Sequence, residues 1–145
     1  MKPLAEVRGE LVAQWCAKAD RDLEAAELLL AQGDRLGGIV AFHCQQTTEK
    51  YLKALLISHQ VEIPRTHDIR KLLECVRPVH AGLADALQHA DSLTPFGVEI
   101  RYPGDAPELP PGAETDAVAI ARQVRVLVMA VLRGDAIDTQ LPDGG

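Results

Sequence analysis

Residues 39–57 read IVAFHCQQTTEKYLKALLI, and this stretch decides the fold. Val40, Ala41, Cys44, Thr48, Tyr51, Leu52, Leu55 and Leu56 recur at three- and four-residue spacing, the mark of a helix with a broad apolar face. His43, Gln46, Glu49, Lys50 and Lys53 recur at the same spacing and form a second, polar stripe. A solvated face needs only generic charge. An imidazole, an amide, a carboxylate and two ammoniums together can also recognise a polar ligand or a partner.

Working outward, the chain before and after this helix also reads as helical. Trp15, Ala19, Leu23, Ala26 and Leu30 predict a first helix from about Glu10 to Ala31, with Lys18, Arg21, Asp22 and Glu24 on its wet side. Gly33 is placed to end it, since glycine takes the left-handed cap conformation cheaply. The short connection through Asp34 and Gly37–Gly38 makes the first two helices antiparallel neighbours. The second helix runs to about His59, because Ile63-Pro64 cannot continue it. Thr66 is a plausible cap for a third helix over Asp68–Val76, with Ile69, Leu72, Leu73 and Val76 inward. A fourth helix carries Leu83, Ala84, Leu87 and Ala90, and Thr94-Pro95 opens a further helical piece toward Arg101. Four prolines and two glycines between Tyr102 and Gly112 make that segment a loop, long enough to suggest function. A last helix, about Thr115 to Arg133, turns Ala117, Ile120, Ala121, Val124, Leu127, Val128 and Val131 inward. The expected fold is an all-α up-and-down bundle of four to five helices, one domain over residues 10–133, with 1–9 and 134–145 as flexible tails.

Composition narrows the function. The 145 residues are 47% hydrophobic but only 3% aromatic, which suits an aliphatic helical core. A net charge of -6 argues against a broad DNA-binding surface. Cys16, Cys44 and Cys75 lie far apart on apolar helical patterns and read as small buried hydrophobes. Free thiols and the lack of an apolar leader point to the cytoplasm. No run approaches the ~20 apolar residues of a spanning helix, so no membrane role is expected. No cysteine or histidine set has metal-ligand spacing, and neither metal nor cofactor is expected.

Three segments carry a family resemblance: WCAKADRDLEAAELLLAQGD, then AFHCQQTTEKYLKALLISHQVEIPRTHDIRKLLE, then EIRYPGD. Their order, over roughly residues 13–133, resembles the HEPN domain of prokaryotes. The resemblance implies a helical bundle that commonly forms homodimers with a cleft at the interface. It implies a partner too, since many members are encoded beside a minimal nucleotidyltransferase and form a two-component module with it, in some cases toxin–antitoxin. Similar bundles complete the substrate site of aminoglycoside nucleotidyltransferases. Other members are ribonucleases with an Arg-x4-6-His motif.

That motif is absent here. The chemistry needs an acid/base near the scissile phosphate and a cation on its oxygens. None of His43, His59, His67, His80 or His89 follows an arginine at the required distance: Arg35 to His43 is too long and Arg77 to His80 too short. After Arg101, where the resemblance would place the motif arginine, Ala106, Pro107 and Glu108 stand where the histidine should be. The expectation is therefore a non-catalytic module. The alternative is a ribonuclease or toxin using Arg101 with His67, which lies beside Asp68 at a predicted helix start. His67 can equally do no more than cap that helix. His43 reads equally as a structural or a functional histidine, and His80 and His89 read as surface.

Candidate ligand-binding residues are Gln46, Glu49, Lys50, Lys53, His67, Arg101 and Tyr102. Lysines and Arg101 suit a nucleotide or other phosphate-bearing ligand, and Tyr102 can stack a base. The resemblance also implies a third possibility, modification on tyrosine by the partner nucleotidyltransferase, for which Tyr102 is the place to look. The bland alternative is a solvated stripe in which Glu49 and Lys53 form an i,i+4 pair. Phe42, Ala54 and Ile57 fall off the main apolar stripe, which suggests a homodimer interface.

Overall fold

Good helix formers fill the chain from Leu4 onward, and the first helix, α1, runs Leu4–Leu30. The computed structural model describes residues 1–97 and 109–137. Pro3 precedes α1 with its carbonyl accepting from the amides of Glu6 and Val7, so the helix starts well before Glu10. Residues 4–9 therefore belong to α1, a correction to the expected start. The Lys2–Glu10 pair at 2.8 Å spans the opening turns. At the other end Gly33 takes φ 99°, open to glycine at no steric cost, and a 3-10 turn over Asp34–Leu36 leads into α2, Gly37–Ser58.

α2 is the central helix, packed against α1, α3 (Ile69–Val76), α5 (Ala113–Leu132) and a 3-10 run over Gln88–Phe96. Its predicted apolar face is buried throughout, from Val40 to Leu56. Each fully buried leucine on it contributes roughly 2 kcal/mol gross of transfer free energy. Thr47 Oγ1 donates to the Ala19 carbonyl at 3.2 Å and fixes the antiparallel register of α1 and α2. Arg122 pairs with Glu27 and Arg125 with Asp20, so numbers rise on α5 as they fall on α1. The two are antiparallel. Among the described residues there is no strand, and the fold is the expected all-α bundle.

Local details depart from expectation in four places. Asp68, not Thr66, caps α3: its carboxylate accepts from the Arg70 amide at 3.0 Å, while Thr66 Oγ1 accepts from the Asp68 amide. Thr94 opens no new helix. It sits inside the 3-10 run, and its Oγ1 accepts from the Ile69 amide, tying that run to the start of α3. His80, read as surface, caps the short α4, Ala81–Ala86, through Nδ1 accepting from the Leu83 amide. Ala54 is fully buried inside the protomer, so it leaves no interface surface. Phe42 and Ile57 are half-buried.

Candidate functional site: a polar stripe closed by its own carboxylates

The polar residues of α2 sort around two carboxylates. Glu49, only 4% exposed, is the first. Lys53 Nζ donates to its Oε1 at 2.5 Å, the His67 ring at 2.9 Å, and Gln45 Nε2 to its Oε2 at 2.9 Å. Burial works against ionisation of Glu49. The hydrogen bonds from Lys53, Gln45 and His67 outweigh it and hold the carboxyl below the usual range. Gln45 also donates to the His67 carbonyl at 3.2 Å and accepts from Gln46 Nε2 at 2.6 Å. One buried side chain on α2 thus gathers its own helix and the segment leading into α3.

The second carboxylate is Asp22, from α1. His43 Nδ1 donates to it at 2.9 Å, and Lys50 closes on its other oxygen. Asp22 therefore turns toward α2 rather than lying on the wet side of α1. Two residues earlier on α1, Asp20 accepts from the hydroxyl of the buried Tyr51 and, at 3.0 Å, from Arg125. Burial, then the Asp20 contact, raises the Tyr51 phenol above the usual tyrosine range. Trp15 is half-buried and lies against Lys53 and Lys18, with ammonium-to-centroid distances of 5.8 and 5.9 Å.

Of the sequence candidates, Glu49, Lys53 and His67 meet directly, Gln46 joins them through Gln45, and Lys50 goes to Asp22 instead. Arg101 and Tyr102 lie outside the described residues, as does most of their loop. Gln45, Asp22, Asp20 and Trp15 were not singled out as site residues. Only the high polarity of Gln45-Gln46 on an otherwise apolar helix hinted at the first of them.

Every buried polar side-chain atom among the described residues has a partner. Among them no group of three His, Cys, Asp or Glu side chains is placed to hold a metal, and no helix is long and apolar enough to cross a membrane. A groove of about 490 Å³ between α1 and α5 is floored by Leu23 and bridged by the two arginine pairs. A smaller hollow beside α3 is lined by Arg70, Arg77, Gln88 and neighbours. Neither borders the Glu49 cluster.

Residues 12–134 match the family model of the HEPN domain. That span is most of the chain, and this protein belongs to the HEPN domain family. No curated protein compared with the chain matches it.

Proposed function

We propose that this chain is a non-catalytic HEPN bundle of the cytoplasm that dimerises and docks a small nucleotidyltransferase, as one half of a two-component module, in some settings toxin–antitoxin. A nucleotide or phosphate-bearing ligand would be held between the two proteins. The observation that carries this reading is the pairing of both stripe ammoniums, Lys50 on Asp22 and Lys53 on Glu49. A phosphate-cleaving site needs cations free to take up developing charge. Here a scissile phosphate would have to displace two carboxylates. The absence of the Arg-x4-6-His spacing points the same way. Leu4, Val7 and Leu11, exposed on one side of α1, supply apolar surface for a second copy.

The test is co-purification with a small nucleotidyltransferase, sought in the neighbouring reading frame, with nucleotide binding followed by calorimetry. A stable complex is expected. No complex and no heat of binding would sink the reading.

One observation favours a second reading. His67 is oriented by a buried carboxylate, which suits a general base. A ribonuclease using His67 with Arg101 predicts growth arrest on expression, relieved by His67→Ala.

A further inference from the structure

We propose that His67 is a nucleophilic acceptor for phosphorus electrophiles: its Nε2 takes a phosphoryl or nucleotidyl group from an acyl phosphate, phosphoramidate or phosphoric anhydride donor, with Glu49 fixing the ring. The argument is geometric. His67 Nδ1 lies 2.9 Å from Glu49 Oε1. An ionised carboxylate only accepts, so Nδ1 carries the proton and the lone pair of the neutral ring sits on Nε2. The His67 side chain is 77% exposed, whereas its anchor is buried. Lys53 and Gln45 hold the remaining contacts of that anchor and keep it from swinging away.

The other histidines lack this combination. His43 has a carboxylate on Nδ1, but its side chain is only 26% exposed. His80 accepts at Nδ1 from the Leu83 amide, which puts the neutral ring's proton on Nε2. His59 faces the neutral carbonyl of Leu55. His89 is exposed, and among the described residues no carboxylate contacts its ring.

Acceptor chemistry suits this position better than base catalysis on a bound substrate. The His67 side chain stands largely in solvent, and the nearby Lys53 is already paired. A base needs its substrate held on this chain, while an acceptor is visited by a donor, free or enzyme-bound. In the step, the Nε2 lone pair forms a P–N bond as the bond from phosphorus to the leaving phosphate, pyrophosphate, carboxylate or amine breaks. No redox change occurs, and the positive charge left on the ring is balanced by Glu49. The nucleotidyl source rests on the nucleotidyltransferase reading; the chemistry at Nε2 does not.

The test uses the full chain in two arms, phosphoramidate alone, and ATP with the nucleotidyltransferase of the proposed module, followed by intact mass and peptide mapping. In the first arm one phosphoryl group is expected on His67, stable in alkali and labile in acid, unlike an ester. His67→Asn keeps a donor to Glu49, and so the fold, but loses the label. Glu49→Gln keeps a polar contact and slows labelling about tenfold or more. No label from phosphoramidate, or label on His43 or His59 as fast as on His67, overturns the proposal. Label from phosphoramidate but none from ATP with the enzyme upholds the acceptor and counts against the partner reading instead.

Discussion

The side-chain amide of Gln45 lies so close to Gly97 that a Cβ on Gly97 would stand 2.8 Å from both its Cδ and its Nε2. Gln45 cannot easily give way, because it is tied to Glu49, Gln46 and the His67 carbonyl. Gly97→Ala is therefore expected to lower stability by about 1–3 kcal/mol in urea denaturation, the usual cost of overpacking. Combined with Gln45→Ala, which removes the obstructing amide, the loss should fall short of the sum of the two single changes.

Glu49 is the most deeply buried charge in the stripe. Glu49→Ala strands Lys53 and Gln45 without their acceptor and should cost about 3–5 kcal/mol, measured as the shift in denaturation free energy. Lys53→Met should cost less, because Gln45 and His67 still satisfy the carboxylate.

The same carboxylate predicts a pH dependence. Its folded pKa lies below its unfolded value, so the unfolded chain binds the proton first as pH falls. The stabilisation is complete above the ordinary glutamate range, near about 4.3, and is lost as pH falls through the lowered folded value. Stability against pH should accordingly fall less steeply on the acid side in Glu49→Gln than in the wild type.

Tyr51 behaves in the opposite sense. Its folded pKa is raised, so its contribution is complete below the ordinary tyrosine range and is lost as pH rises beyond it. Alkaline titration of the wild type and Tyr51→Phe by ultraviolet absorbance should overlap until the wild type unfolds. At neutral pH Tyr51→Phe should cost about 1.5 kcal/mol, since Asp20 keeps Arg125.

Burial, with Glu27 adding to it, pushes the Cys44 thiol up to about 12. Cys16 and Cys75 are only partly buried. Alkylation of the native protein near pH 8, read by peptide mapping, should modify Cys44 last.

Much of the fold was legible because its signals are local. The apolar spacing of α2 from Val40 to Leu56 and the stop at Gly33 follow from periodicity and glycine geometry. Several of the misreadings involve partners remote in sequence. Asp22 looked wet because Lys50 and His43, its partners, sit on another helix. Thr94 looked like the start of a helix because its true partner is the Ile69 amide. Ala54 looked surplus because a single-helix stripe does not record that α2 is enclosed on several sides. His80 was missed because imidazole is not among the usual capping side chains. For the site, the spacing of Glu49 and Lys53 announced their pairing. The reach of His67 to Glu49 depends on how the segment before α3 folds back.

On the proposed reading this bundle does not cut RNA. Incubating purified chain with RNA, alongside His67→Ala, tests it most directly. The account predicts RNA unchanged by either protein. Cleavage by the wild type that His67→Ala abolishes would contradict it.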